Sequence, residues 1–218
     1  CHIIPGLSAF VGGDITAGIL ASGMLEQEAS TLLIDLGTNG EMALGNRHRL
    51  HACATAAGPA FEGGANRGIW GADMGRLLQK LLEEGLMDGQ GLLKEPYFTK
   101  GVRIGDVLVT KESVRAVQLA KGAIAAGIEI LADSYGIRFS DISKVVLAGG
   151  FGYYLDPKAA VAIGLLPEEL ADCTVTGGNT ALSGAAMVGS RILTAGGKQT
   201  AEGTLPDGGD DLRKRQEL

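Results

Sequence analysis

The sequence predicts an α/β fold in which a three-strand antiparallel meander and further parallel strands form one mixed sheet covered by helices. Two observations carry this prediction. Three short apolar runs early in the chain are separated only by turn residues, and the later segments alternate between strand-like and helix-like patterns. The chain has 218 residues, of which 45% are hydrophobic and 20% charged, so it is long enough to bury the core that such a sheet requires.

The meander is predicted over residues 31–56. Its three runs are TLLIDL, EMALG and RLHACATA, which the short segments GTNG and NRH separate. Tight turns between short strands favour antiparallel pairing of neighbours. Ahead of the meander, Asp14 is predicted to cap a helix that runs through ITAGILASGML.

Helices and strands are predicted to alternate after the meander. Apolar positions in residues 111–135 recur at close to 3.6 residues and Gly136 follows them, which is typical of a helix and its C-terminal cap. Another helix is predicted at 73–86, between a glycine-rich loop and a polar loop at 88–106. Two strand-then-helix units complete the pattern: KVVLAGGFG before DPKAAVAIGLL, and CTVTGG before NTALSGAAMVGSRIL.

Charge and cysteine content exclude several classes of partner. The net charge is −6 and lysine and arginine form no cluster, whereas nucleic acids and anionic membranes are bound by concentrated positive charge. We therefore expect no nucleic-acid partner and no membrane partner. Cys1, Cys53 and Cys173 lie too far apart for a CxxC metal site or an iron–sulfur ligand set, so we expect reduced thiols and a cytoplasmic location.

The segment LLIDLGTNGEMALG places a carboxylate and a glycine-flanked turn directly after an apolar strand. Gly37 and Gly40 let the backbone approach a ligand closely, and Thr38 adds a hydroxyl; with Asn39 they form a turn of converging amides that suits phosphate oxygens. Asp35 at the strand tip is predicted to hold Mg²⁺ through water or to orient an attacking water. Hairpin turns rich in Gly and Asn are also common without a ligand, so the turn alone leaves a purely structural role open.

A second glycine pair follows a buried strand in VVLAGGFG. Gly149 and Gly150 leave space for a flat ring or a sugar against the bare backbone, and Phe151 is predicted to wall that pocket. Taken alone, a Gly-Gly pair is as often a simple turn. The two signals in this order, about 110 residues apart, are much more specific than either one.

Six separated stretches resemble one protein family, in sequence and in order. They are IPGLSAFVGGDITAGIL, IDLGTNGEMALG, AGPAFEGG, VRAVQLAKGAIAAGIEIL, VVLAGGFG and GNTALSGAAMVG. The order of connecting helix, second phosphate motif and adenosine motif is similar to that of the acetate and sugar kinase, chaperone ATPase and actin superfamily. More narrowly, the chain from Cys1 to about Leu193 resembles the C-terminal ATPase region of the reductive activators of corrinoid proteins.

The resemblance implies a ribonuclease H-like sheet that forms one lobe of an actin-like ATPase. It divides the chain into the end of a preceding lobe with a connecting helix (1–30) and the C-terminal lobe (31–195). Residues 196–218 are rich in glycine and charge without a packing pattern, so we expect them to form a disordered tail. ATP and Mg²⁺ are the implied ligands, and a corrinoid protein is the implied partner. In this family an N-terminal [2Fe–2S] ferredoxin-like domain supplies electrons, and ATP helps to drive the cob(II)amide of the corrinoid protein to cob(I)amide.

The chain departs from the family pattern at its start. It has neither the first phosphate motif nor a cysteine set for the cluster, and it begins in an apolar pattern without methionine. We therefore expect a piece of a longer polypeptide, with the cluster and the other ATPase lobe N-terminal to Cys1. The nucleotide site would then be incomplete, and the fragment by itself is expected to be inactive.

Further site residues follow from positions that match the family. Gln118 and Lys121 lie on the long helix where chaperone ATPases place polar residues that contact nucleotide, although a helix lysine is usually solvated. Gly58 and Glu62 are predicted to close the phosphate side, with helix capping as the rival role of Glu62. Asn179 follows TGG at a helix start and is assigned to the nucleotide, with a capping side chain as the alternative.

Two other functions stay open from the sequence alone. A small-molecule kinase of the same superfamily would need a catalytic carboxylate and a substrate pocket that the sequence does not place. A non-catalytic module would use the apolar face left by an absent lobe to dock the corrinoid protein or to form a homodimer.

Overall fold

The computed structural model of the protein describes residues 3–58, 71–105, 107–152 and 155–200. Its helices and strands follow in this order: α1 (Gly13–Ser22), β1 (Ser30–Leu36), β2 (Gly40–Gly45), β3 (Leu50–Thr55), α2 (Gly71–Glu83), α3 (Tyr97–Lys100), β4 (Val102–Ile104), β5 (Val107–Val109), α4 (Lys111–Tyr135), β6 (Ile142–Ala148), α5 (Gly149–Gly152), α6 (Pro157–Ala162), β7 (Thr174–Gly178) and α7 (Thr180–Thr200).

One five-stranded sheet organises the fold. Its strand order is β3-β2-β1-β6-β7. The pairs β1–β2 and β2–β3 are antiparallel, whereas β6 runs parallel to β1 and β7 runs parallel to β6. The predicted mixed sheet, a three-strand meander with parallel additions, is confirmed. Because β6 pairs directly with β1, two segments that are far apart in sequence end at the same edge of the sheet.

The sheet separates two core clusters. Successive side chains of a strand point to opposite faces, so each strand contributes to both. One cluster joins α1 to the face that it covers: Val11, Ile15, Ile19, Met24, Leu33, Ala43, Val146 and Ala148. The other joins α4 to the opposite face, and its members include Leu32, Ile34, Leu36, Met42, Leu44, Leu147, Ile124 and Ile128. By this alternation Asp35 and Glu41 belong to the α1 face.

Helix α4 begins and ends where the sequence predicts. Thr110 is the N-cap, and its hydroxyl accepts from the backbone N–H of Ser113 at 3.3 Å while the Ser113 hydroxyl accepts from the Thr110 N–H at 3.4 Å. At the other end Gly136 has a φ of 78°, and its N–H donates to the carbonyl of Ala132 at 2.8 Å. Both ends of the helix therefore satisfy backbone groups that a helix terminus leaves free.

The capping role predicted for Asp14 is wrong. Helix α1 has Gly12 as its N-cap, and no side chain caps it. Asp14 lies inside the first turn, where its carboxylate accepts from the N–H of Ile15 at 2.9 Å. A carboxylate in the first turn interacts favourably with the helix dipole, so the acidic signal marks the start of the helix without forming its cap.

The polar loop predicted at 88–106 contains more structure than expected. It holds α3, and β4 pairs with β5 in an antiparallel hairpin. Val102 and Val109 form one of the hairpin pairs, and both are buried in the cluster around α4. Strands of three residues offer too few positions for a recognisable alternation, which is why the sequence pattern does not reveal them.

Two compact units divide the chain, Cys1–Ala185 and Ala186–Leu218. The first contains the sheet and the helices that cover it. In the second, the described residues are the C-terminal part of α7. Residues 201–218 lie outside the described residues, and the predicted domain boundaries stay predictions. None of the helices in the described part of the chain has the length and apolar character to cross a membrane.

Candidate functional site

Three residues, 37–39, connect β1 to β2, and Leu36 pairs with Gly40 across this turn. The Gly37 N–H donates to the Asn39 carbonyl at 3.0 Å, so the turn itself uses this amide. Thr38 and Asn39 are exposed at the tip. None of the turn residues has a left-handed φ, and a Cβ at Gly37 would meet only the Asn39 carbonyl, at 3.9 Å. The turn therefore does not require glycine at position 37, where a bare backbone is open to a ligand.

Gly40 packs against two neighbouring elements. A Cβ there would lie 2.7 Å from Thr55 Oγ1 and 3.2 Å from Cγ1 of Ile124 on α4. The Thr55 hydroxyl donates to the Gly40 carbonyl at 3.0 Å. Glycine at position 40 thus has a packing reason that is independent of its predicted contact with phosphate.

Asp35 and Gly149 meet where β1 and β6 end. Asp35 pairs with Ala148 in the parallel register, so the following glycine lies beside the tip of β1. Gly149 has a φ of 86°, and a Cβ there would overlap the Asp35 carboxylate and lie 2.6 Å from the Leu36 carbonyl. Only glycine fits this position. The structure therefore brings the two predicted glycine motifs into direct contact, at what we call the Asp35–Gly149 junction.

The carboxylates near the junction are destabilised as anions. Burial, and secondarily the charge of Asp14, raise the pKa of Asp35 to about 6. Burial first, then Asp14 and Asp35, also raise the pKa of Glu41. Partly dehydrated carboxylates that repel one another gain from a nearby cation. Asp14 is the residue that sequence reasoning missed here, because its proximity to Asp35 depends on which face of the sheet α1 covers.

The junction suits a cation that binds together with a phosphate-containing ligand. Among the described residues, no group of three His, Cys, Asp or Glu side chains is arranged to hold a metal ion. Mg²⁺ keeps several waters and is usually bound by one or two carboxylates together with substrate phosphates. A single strand-tip carboxylate such as Asp35 fits Mg²⁺ bound with a nucleotide better than a resident metal ion.

Gly150 and Phe151 follow the junction and differ in exposure. Gly150 is exposed, and a Cβ there would have no neighbouring heavy atom within 4 Å. Phe151 is only 5% exposed and belongs to the core cluster around α4. The bare backbone predicted for a ring or a sugar is thus found at Gly150, whereas Phe151 packs in the core.

Gln118 and Lys121 lie on α4, which covers the face of the sheet opposite Asp35. Lys121 Nζ donates to the carbonyl of Ile163 at 2.6 Å, at the C-terminal end of α6. Gln118 Nε2 donates to the carbonyl of Gln90 at 2.5 Å. Both side chains line a cavity of about 240 Å³ between α2, α4 and the end of α6. The structure thus divides the predicted site between the Asp35–Gly149 junction and this cavity, which we call the Lys121 cavity.

The remaining predicted residues have separate positions. Asn179 caps α7, since its side-chain oxygen accepts from the N–H of Leu182 at 2.9 Å, and its contact with nucleotide stays a prediction. Gly58 has a left-handed φ of 73° with open space around it. Glu62 lies outside the described residues.

Comparison with known proteins identifies one matching family model. This model, the C-terminal domain of RACo, the ASKHA domain, matches residues 29–73 and 65–195. The matched residues include the meander, α4, the glycine pair and most of α7.

Three relatives agree with this match. The corrinoid activation enzyme RamQ of Eubacterium limosum is 34% identical over 76% of this chain and 37% of its own length. The [Co(II) methylated amine-specific corrinoid protein] reductase of Methanosarcina barkeri is 26% identical over 84% of this chain and 43% of its own length. A solved structure of a reductive activator for corrinoid, iron–sulfur protein superposes with a TM-score of 0.78 at 31% identity, over 92% of this chain and 40% of that one. The chain therefore spans about two fifths of the length of these relatives.

Proposed function

The chain belongs to the family of the C-terminal ASKHA domain of RACo, as its motifs predict, and from that premise we propose that it is the C-terminal ATP-binding lobe of an iron–sulfur protein. This longer polypeptide, hereafter the parent protein, uses ATP to drive the reductive reactivation of a corrinoid protein from cob(II)amide to cob(I)amide. The parent supplies the other ATPase lobe and the [2Fe–2S] cluster. We place it in the cytoplasm.

The Asp35–Gly149 junction is the observation that carries this proposal. It joins a turn with an open backbone at Gly37, a strand-tip carboxylate of raised pKa and the exposed backbone of Gly150 at one edge of the sheet. Mg-ATP needs these three surfaces close enough together for its phosphates, its Mg²⁺ and its adenosine to contact them at the same time. The family match supports nucleotide as the ligand class, and the junction supports the position.

Each part of Mg-ATP has a proposed place. Gly37, Thr38 and Asn39 of the turn face the phosphates, and Asp35 holds Mg²⁺ through water. Mg²⁺, when bound, neutralises phosphate charge and the charge of the carboxylates beside it. The adenosine lies against the exposed backbone at Gly150, with the Lys121 cavity as its second wall.

The role of ATP is proposed to be conformational, since nothing at the junction suits coordination of cobalt. ATP biases the parent protein between an open and a closed arrangement of its lobes only by its difference in affinity for the two. A change from mostly open to mostly closed needs a difference of about 10⁴-fold, or roughly 5.5 kcal/mol. A [2Fe–2S] cluster, which the parent would hold outside this chain, would supply the single electron that converts cob(II)amide to cob(I)amide, and hydrolysis of ATP would reset the complex.

Calorimetric titration of Mg-ATP into the parent protein tests the proposal. We expect binding by the parent, at least tenfold weaker binding by an Asp35→Asn variant, and no measurable binding by the 218-residue chain alone. Asp133→Asn is the matched control, because Asp133 is an exposed carboxylate on α4. The proposal fails if the parent does not bind Mg-ATP, or if Asp35→Asn and Asp133→Asn bind it equally well.

A further inference from the structure

An open apolar groove adjoins the Lys121 cavity, with which it shares Gln90, Gly91 and Gln118, and lies between the first turns of α4 and the segment that precedes it. Its volume is about 720 Å³. Leu92, Phe98 and Leu119 supply apolar surface, and Lys111 and Arg115 stand at its rim. We call it the α4 groove.

The α4 groove exposes large apolar side chains. Leu92 is 55% exposed and Leu119 is 59% exposed, although the neighbouring Leu93 is almost fully buried. Exposed leucines at single positions are ordinary, but here two of them and a half-buried phenylalanine line the same groove. A groove lined in this way is able to accept an apolar side chain of a partner.

Leu92 is held in its exposed position by a tightly bonded loop. The carboxylate of Asp88 accepts from the backbone N–H groups of Gln90 and Leu92, at 2.9 and 2.8 Å. The Asp88 N–H in turn donates to the Leu92 carbonyl at 3.0 Å, and Gly91 packs directly on the Gln118 side chain. A surface that is fixed before binding loses little entropy when a partner binds. The α4 groove is therefore preorganised.

The rim of the groove is more basic than the chain as a whole. The protein carries a net charge of −6, whereas the charged residues that line the groove are two basic side chains, Lys111 and Arg115, and one acidic side chain, Glu112. Within the described part of the chain, Arg115 has no ion-pair partner. Lys111 lies 5.0 Å from the Phe98 ring centroid and 4.0 Å from the exposed carboxylate of Glu112. A weak exposed pair of this kind leaves the rim available to a partner's carboxylate.

We propose that the α4 groove docks an acidic segment of the corrinoid protein, which inserts a large apolar side chain between Leu92 and Leu119 and sets carboxylates against Lys111 and Arg115. This inference rests on the proposed function for the identity of the partner. The chemistry of the segment follows from the groove alone, because an apolar centre with a basic rim is complementary to an apolar side chain flanked by acids.

The test measures the affinity of the parent protein for its corrinoid protein in the cob(II)amide state, by biolayer interferometry at low and at moderate salt. We expect Leu119→Asp and Arg115→Glu each to weaken binding at least tenfold, while their affinity for Mg-ATP stays unchanged. Added salt should weaken binding by the wild-type protein more than binding by Arg115→Glu.

Two control variants match the test variants. Ile130→Asp introduces the same charge at a 64% exposed apolar position further along α4, and Lys144→Glu reverses an exposed charge on β6. Both should bind the corrinoid protein within about twofold of the wild-type protein, as expected for surface positions outside an interface.

Each contrary result has a distinct meaning. Wild-type binding that survives both groove substitutions would overturn the docking inference and leave the proposed function intact. No binding of the corrinoid protein by the wild-type parent would overturn both. Self-association that Leu119→Asp abolishes, with corrinoid-protein binding unaffected, would identify a second copy of the chain as the occupant and would also overturn the inference.

Discussion

The Asp35–Gly149 junction and the Lys121 cavity differ in how well they stabilise the polar and charged side chains that they contain. At the junction, Asp35 is half-buried with carboxylates nearby, and its pKa is raised to about 6. In the cavity, the Lys121 ammonium group donates to a backbone carbonyl at 2.6 Å, and the Gln118 amide is bonded at 2.5 Å. The polar groups of the cavity therefore have hydrogen-bond partners within the chain, whereas the ionised form of Asp35 at the junction is destabilised.

This difference separates two kinds of candidate residue. A side chain that is bonded within the chain has a structural role that would retain it even without a ligand. A carboxylate that the fold destabilises has no such reason, so a ligand that neutralises it is the simplest explanation for its presence. The contrast makes Asp35 a stronger functional candidate than Lys121, Gln118 or Asn179.

The largest expected effect distinguishes the two glycines of the pair. Gly149→Ala should lower the free energy of unfolding by about 3 kcal/mol, since a side chain at a φ of 86° is strained and would press on the tip of β1. Gly150→Ala has open space, so it should change that free energy by less than about 1 kcal/mol. Urea unfolding of the two variants measures this difference. Equal stability of the two variants would contradict the distinction between Gly149 and Gly150.

Asp35→Asn should stabilise the protein at neutral pH while it weakens nucleotide binding. The folded-state pKa of Asp35, about 6, lies above the ordinary 3.8, so folding favours the protonated carboxyl group. The stability that the folded protein has with Asp35 protonated is therefore fully present below about pH 4, and it is lost as the pH rises through 6. At pH 7.5 the free energy of unfolding of the variant should exceed that of the wild-type protein by on the order of 2 kcal/mol, and at pH 4.5 by much less.

Urea midpoints at those two pH values measure this gain. Asp133→Asn serves as the control, because it makes the same substitution at an exposed carboxylate on α4. A variant that is less stable than the wild-type protein at pH 7.5 would show that Asp35 is held by favourable contacts, and would remove the contrast between the two regions.

Lys121→Met should lower the free energy of unfolding by about 1.5 kcal/mol, because the carbonyl of Ile163 loses a charged donor. If the cavity also receives adenosine, the affinity of the parent protein for Mg-ATP should fall about tenfold. Lys158→Met, at an exposed lysine on α6, should change neither quantity. Reduced stability with unchanged affinity would limit Lys121 to a structural role and confine the nucleotide to the junction.

The smallest effect is expected at Asn179. Asn179→Ala removes the cap of α7 and should cost about 1 kcal/mol of unfolding free energy, which Asn179→Asp should largely restore. Thermal unfolding of both variants measures this. A ligand role would appear as weak Mg-ATP binding by Asn179→Asp despite its restored stability, whereas full recovery of both properties would leave Asn179 a cap alone.

Much of the fold could be predicted because its elements carry strong local signals. The meander has apolar runs broken by turn residues, and α4 has a regular apolar period with a glycine at its end, which the structure places at Lys111–Tyr135. The β4–β5 hairpin was missed since its strands have three residues each. Local pattern therefore predicts long elements and fails for short ones.

The site was predictable in part for a similar reason. The motifs around Asp35 and Gly149 are local, and the parallel pairing of β1 with β6 brings them together. The influence of Asp14 on Asp35 depends on which helix covers which face, and no local pattern contains that information. The same holds for the exposure of Gly150 and the burial of Phe151, two adjacent residues that the sequence assigned to one pocket.

The affinity of the parent protein for Mg-ATP as a function of pH, measured for the wild-type protein and for Asp14→Asn, tests most directly whether ionised Asp35 holds the ligand. For the wild-type protein, we expect affinity to rise with pH up to about 6 and then to level off, beyond any change that is common to both proteins. Asp14→Asn should move this inflection to lower pH, since it removes a charge that raises the pKa of Asp35. A wild-type profile with no inflection near pH 6 would contradict the account, because binding would then not depend on the charge of Asp35. An inflection that Asp14→Asn leaves in place would assign the raised pKa to burial alone.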